Sequence, residues 1–223
     1  MSNIFYSSIG KKLLMSLMGL FLISFLLVHL GINLLIITQD SFEPFNKAAH
    51  FMGTNKVIKI MEFALFGGFI LHMVYGAVLS IQNMLSRPVG YKVANNSQLS
   101  FFSKYMFHTA LVITIFLILH LFDFYIKAKF IGDVGEVVYD GKSYHDLGTL
   151  VFTRFKMLGA VVFYLVALLG LGFHLHHGFQ SAFQTLGLNH PVYTPIIKGL
   201  GLLYTLVVTL GFMAIPVVIY FFK

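Results

Sequence analysis

Cysteine is absent from this chain. With it go disulfides, cysteine-ligated iron–sulfur clusters and haem attached through thioether bonds. Tryptophan is absent too, so an aromatic belt at the lipid headgroups must be built from tyrosine, with Tyr6, Tyr91, Tyr105, Tyr139 and Tyr193 as candidates. Charge is scarce: 10% of residues are charged and 58% are hydrophobic, where an ordinary soluble domain carries about 25% charged residues. The net charge of +7 sits on no basic cluster of a soluble module, which argues against a nucleic-acid partner. No internal repeat, low-complexity run or second soluble domain is visible.

What the chain has instead is long apolar runs. Five are each long enough for a helix to cross a hydrocarbon core, which takes about 20 residues: residues 12–38, 57–85, 101–126, 154–183 and 196–222. Only helices and closed barrels satisfy the backbone in lipid, and these runs are continuous rather than alternating, so helices are expected and a barrel is not. The expected fold is all-α, a single membrane domain over residues 1–223 with five transmembrane helices. The first run exceeds a signal-peptide core and no small-residue cleavage pattern follows it, so it reads as a retained helix.

If the helices alternate in direction, one face of the membrane gathers Lys11, Lys12, Arg87, Lys92, Lys104 and Lys198 and no acid. All eight acids, Asp40, Glu43, Glu62, Asp123, Asp133, Glu136, Asp140 and Asp146, fall on the other face with the remaining Lys and Arg. By Lys and Arg count the positive-inside rule leans toward the acid-bearing face as cytoplasmic. The count alone does not decide the orientation.

Histidine carries the chemistry. Seven of the ten histidines lie inside expected helices: His29, His72, His108, His120, His174, His176 and His177. A histidine deep in a membrane segment is costly unless it lines a cavity, pairs or binds something. One such residue can be a hydrogen-bonding core group; one or more on each of four helices points to a shared role. The cluster Gly172-Phe-His174-Leu-His176-His177-Gly178 is the densest. His174 and His177, three residues apart, share a helix face, and His176 points away. Gly170, Gly172 and Gly178 remove bulk, for a flat macrocycle or for a neighbouring helix. Helix direction also assigns depth: His29 and His120, each late in its helix, lie toward one side, and His72 and His174 toward the other. Two pairs at two depths suit two bis-histidine haems stacked across the bilayer. Each ligand would need an acceptor for its second ring N–H, from backbone carbonyls or a hydroxyl such as Ser24.

The rest of the chain is plainer. Asn33 stands one turn from His29 on the same face. Residues 39–56, with Pro44 and His50, read as a short amphipathic helix or a packed loop. The connection 127–153 is the longest and most polar, with Asp140-Gly141 as a turn between two short strands and His145 as a surface residue. The last helix begins after Pro195 and carries Pro216, which should kink it or free a carbonyl.

Several segments together are familiar: Phe25-Leu-Leu-Val-His29-Leu, Phe45-Asn-Lys-Ala-Ala-His-Phe-Met52, Leu71-His-Met-Val-Tyr-Gly76, Ile113-Thr-Ile-Phe-Leu-Ile-Leu-His120 and Phe173-His-Leu-His-His-Gly178. Through them nearly the whole chain resembles the dihaem cytochrome b membrane-anchor subunit of succinate:quinone oxidoreductases, the succinate dehydrogenases and fumarate reductases with a single five-helix anchor. The resemblance implies two haem b groups held between the first four helices. It implies a subunit that anchors a flavoprotein and an iron–sulfur protein and passes electrons between the iron–sulfur protein and a quinone, menaquinone by preference. The dicarboxylate site would then lie on another chain. His29 and His120 carry over as ligands of the distal haem. His72 carries over with a helix-four histidine for the proximal haem: His174, from the Phe before it and the Gly four later, or His177 one turn on. The resemblance also implies a bacterial inner membrane with the amino terminus in the cytoplasm. The acid-free face, with Arg87, Lys92, Lys104 and His108, would meet the soluble subunits, and Glu62 would handle quinone-coupled protons.

Two other readings stand beside this one. A cytochrome b subunit of a hydrogenase or formate dehydrogenase keeps the haem and changes the partner. A haem-free transporter or scaffold would use its histidines for protons or metal, though the chain lacks the paired, broken helices of inverted-repeat transporters.

Overall fold

The computed structural model describes residues 7–85, 105–132 and 134–223. Tyr6, Arg87, Tyr91, Lys92, Lys104 and Asp133, together with the expected helix start at 101–104, lie outside the described residues.

Helix α1 (Ser8–Thr38) starts where the Ser7 hydroxyl accepts from the Gly10 N–H at 3.0 Å, filling one of the unpaired donors at a helix start. The segment after it is a helix rather than a loop, α2 (Glu43–Thr54), with Pro44 in its first turn. Asn55 separates α2 from α3 (Lys56–Leu85): its backbone turns extended, and its Oδ1 accepts from the N–H groups of Val57 and Ile58 at 2.9 and 3.3 Å. Helix α4 (Met106–His120) runs on as a π-helix over Leu121–Ile131 and ends at Gly132, whose φ is 69°.

The polar connection is therefore far more ordered than its composition implied. Strands β1 (Glu136–Tyr139) and β2 (Lys142–His145) pair antiparallel, Glu136 opposite His145 and Tyr139 opposite Lys142. Asp140 and Gly141, at φ 51° and 73°, form the two-residue turn that right-twisted strands prefer. His145 is exposed. Helix α5 (Leu147–Phe155) follows, its first turn capped by the Asp146 carboxylate on Thr149 N–H at 3.2 Å.

The expected fourth span began at Arg154; instead Met157 is extended and a new helix, α6 (Leu158–Thr185), starts after it. The apolar residues before the break are core, with Val151 and Phe155 buried. Helix α7 (Tyr193–Phe222) starts two residues ahead of Pro195 and runs unbroken through the buried Pro216. Proline in a first turn loses no helical hydrogen bond.

Helices α1, α3, α6 and α7, and α4 together with its π-helical extension to Ile131, are each long and apolar enough to cross a membrane. The chain is a multi-pass membrane protein, all-α apart from the hairpin. Helix α7 packs along α6 and α1, α3 along α1, and α4 along α6. Gly172 permits a close crossing of α6 and α7: a Cβ there would stand 2.9 Å from Thr209 Oγ1. Gly170 and Gly178 likewise face neighbouring helices, at Val112 and Met106.

The main buried cluster lies at one end, where Ile36, Phe45, Val151, Phe155, Val161, Tyr164, Ile215 and Ile219 meet. There α2, the hairpin and α5 form a cap around Asn46, which is 1% exposed. Asn46 Nδ2 donates to Asp146 Oδ1 at 3.1 Å and to Tyr139 Oη at 3.3 Å, and its Oδ1 accepts from Gly148 N–H at 2.8 Å. Lys223 Nζ closes the same end by donating to the carbonyls of Ile36 and Gln39 at 3.0 and 2.9 Å.

Candidate functional site

Four helices carry one inward histidine each, and the rings meet in two pairs. His29 of α1 and His120 of α4 have ring centroids 5.8 Å apart with planes at 89°. His72 of α3 and His174 of α6 have centroids 6.2 Å apart with planes at 76°. Among the described residues no ring contact joins His72 to His177. His177 shares the face of His174 but lies one turn nearer the end of α6.

The two pairs sit at different depths. The ring of His72 lies beside Gly19 of α1, where an added Cβ would stand 3.5 Å from its Cε1. Gly19 and His29 are ten residues apart on α1 (29 minus 19), as are Tyr164, whose ring touches His120, and His174 on α6 (174 minus 164). At about 1.5 Å per residue, both helices put the pairs about 15 Å apart along the bundle. The His29–His120 pair is nearer the capped end.

Aromatic side chains surround the first pair. Phe25 stacks on His29 at 5.2 Å and Phe212 lies 5.6 Å away. Phe116 stacks on His120 at 5.5 Å, with Phe124 at 5.3 Å and Tyr164 at 6.1 Å. Asn33 Nδ2 donates to the His29 carbonyl at 2.8 Å and lies 3.4 Å from its Nδ1. Among the described residues no hydrogen bond joins Ser24 to these rings; its hydroxyl donates to the Phe21 carbonyl at 2.7 Å.

Imidazole nitrogens placed this way need partners. The Nδ1 atoms of His72, His120 and His174 are buried without a hydrogen bond among the described residues, which leaves one ring nitrogen of each unpaired. Two imidazoles bound to opposite sides of one metal ion, each through a bond of roughly 2 Å, hold their centroids about 6.3 Å apart. Both pairs lie near that spacing. Among the described residues no three His, Asp or Glu side chains gather into a metal cage. The residues present would fit a haem held by one histidine from each of two helices.

The remaining histidines stand apart. His108 is exposed beside Tyr105 and Phe107, His50 is exposed against Tyr144, and His190 folds over the α6–α7 turn. His176 lies next to Gln180, its Nε2 3.4 Å from the amide nitrogen. Glu62, near the capped end of α3, accepts from the Tyr125 hydroxyl and the Lys129 ammonium of the π-helical stretch. Next to His120, Asp123 Oδ2 accepts from Arg154 Nε at 2.9 Å and from the Tyr164 hydroxyl at 3.1 Å. Tyr164 carried no signal in the sequence: a tyrosine in an apolar run reads as core, and only its partner on another helix gives it a role. Compared with family models, with curated proteins and with solved structures, the chain finds no match.

Proposed function

We propose that this chain is the haem-bearing membrane anchor of a succinate:quinone oxidoreductase, with two b haems between a soluble iron–sulfur partner and a quinone such as menaquinone. The observation that supports it most is the pair of histidine pairs, each bridging two helices at the spacing of axial ligands and set one above the other along the bundle. His29 and His120 hold the distal haem and His72 and His174 the proximal one. When bound, such a group supplies one-electron redox chemistry.

The chain supplies the rest. Phe25, Phe116, Phe124 and Phe212 keep water from the distal pair and leave it in a low-dielectric surrounding. Gly19 lets His72 lie close against α1. The carboxylate of Glu62 is the candidate proton carrier for quinone, and to work it must be released by Tyr125 and Lys129. The described part of the acid-free face, with Lys11, Lys12 and Lys198, faces the soluble subunits in the bacterial cytoplasm on this reading, which puts the amino terminus on the same side.

The test is a reduced-minus-oxidised spectrum with haem quantitation on the purified protein and on single exchanges to alanine at His29, His72, His120, His174 and His177. Two b haems per chain are expected, one lost at each of the first four positions and neither at His177. A colourless protein would overturn the haem reading. A metal hydrogenase co-purifying in place of a flavin-bearing chain would change the partner and leave the haems.

A further inference from the structure

We infer that Asp123, Arg154 and Tyr164 form a positioning set that fixes the His120 ring and sets the charge balance beside the distal pair. The inference rests on the haem reading above. The three residues come from three elements: Asp123 from the π-helical extension of α4, Arg154 from α5 and Tyr164 from α6. They converge on one oxygen, Asp123 Oδ2, which accepts from Arg154 Nε at 2.9 Å and from Tyr164 Oη at 3.1 Å.

Tyr164 transmits the contact. It is 4% exposed, and its ring is wedged against His120 at 6.1 Å, Phe116 at 5.1 Å and Phe155 at 4.9 Å. The hydroxyl is tied to Asp123, so the ring has little room to turn, and the His120 imidazole is held against it. Asp123 itself follows His120 by three residues, in the first turn of the π-helical stretch.

The Asp123 and Arg154 side chains are 14% and 33% exposed, and a pair drawn partly out of water is not kept for stability alone, since its desolvation offsets much of its attraction. An ionisable side chain inside a membrane span is a functional candidate by default. The ion pairs among the described residues join Lys47, Lys129 and Arg154 to their acids, and none touches His72 or His174. The distal pair alone therefore sits beside a balanced plus and minus charge.

Removing either charge should unbalance the other, in opposite senses. Redox titration of the haem-loaded protein reads this directly, with the midpoint lost in His120→Ala marking the distal haem. Asp123→Asn leaves Arg154 uncompensated and should favour the reduced distal haem by about ten-fold, or about 59 mV upward for a one-electron couple. Arg154→Gln should move the same midpoint downward by a similar factor, Arg154→Lys should leave it in place, and the proximal midpoint should hold in all three. Shifts of the same sign, no shift, or equal shifts in both haems overturn the inference and leave the haem reading standing. If Asp123→Asn does not accumulate in membranes, Arg154→Gln alone decides, by its downward shift or its absence. A wild-type protein without haem overturns both together.

Discussion

Replacing Asn46 by alanine cuts the cap at its centre. The side chain ties α2 to three points about a hundred residues away: Tyr139 Oη, the Asp146 carboxylate and the Gly148 N–H. A hydrogen bond to a charged group is worth about 1.5–3 kcal/mol, and a buried N–H left without a partner costs about 1–3 kcal/mol. The longer contact to Tyr139 adds about 0.5 kcal/mol, so the cap should lose about 3–6.5 kcal/mol. Local opening then becomes easier by about two powers of ten or more, and amide hydrogen exchange is the assay that sees it. Protection at Gly148 and along β1 and β2 should fall at least 100-fold, with the amides in the middle of α6 and α7 unchanged. A loss under five-fold at Gly148, or an equal loss throughout the bundle, would refute the reasoning. Asn46→Asp should do the same at neutral pH by setting a second carboxylate against Asp146, and should recover part of the protection in acid.

Other outcomes follow from the same contacts. Burial pushes the Asp146 carboxyl up, but hydrogen bonds from Thr149 and Asn46 outweigh it and hold the group below its ordinary range; the hydrogen bond and charge of Lys47 hold Asp140 low as well. A carboxyl lowered in the folded state stabilises above its unfolded pKa of about 3.9 and loses that contribution as pH falls through the folded value. Protection of the hairpin should therefore hold from pH 7 to about pH 4 and drop below that; a drop beginning at pH 6 would contradict it. Gly172→Ala should cost about 1–3 kcal/mol through overpacking against Thr209. Thr209→Ala in the same chain should restore most of it in detergent melting, and an additive pair would show that the two do not touch. Glu62→Gln should slow quinone-linked turnover at least ten-fold with haem content unchanged, and full turnover would remove Glu62 from the proton path.

The long helices were legible because an apolar run of the right length has only one way to satisfy its backbone in lipid. The depth of the histidines was legible for a related reason: once the helices alternate, position along a span becomes position across the membrane, and His29 and His120 fall on one level. Spacing alone could not choose between His174 and His177, which share a face, and the contact with His72 separates them in the structure. The hairpin was legible from Asp140-Gly141, but its assembly with α2 and α5 into a cap was not. Residues 127–155 are short mixed segments whose order comes from a buried asparagine eighty or more residues earlier in the chain, and no local pattern reports that. The break at Lys156–Met157 was hidden in the same way, because the apolar residues on both sides look alike until α5 is folded back against α2.

Each histidine pair joins one ring from the first third of the chain to one from the second half, 91 residues on for His29 and His120 (120 minus 29) and 102 for His72 and His174 (174 minus 72). At a synthesis rate of about 5–20 residues per second, α1 and α3 wait in the bilayer for roughly 5–20 s before either partner has been made. Over the 48 residues between His72 and His120 (120 minus 72), the half-built protein holds two unmatched imidazoles in lipid. The capped-end site is completed first, when α4 arrives, and the other only after α6 has entered. On the haem reading proposed above, the path of the chain would order maturation in time: the capped-end site would be complete after the third crossing and the other only after the fourth.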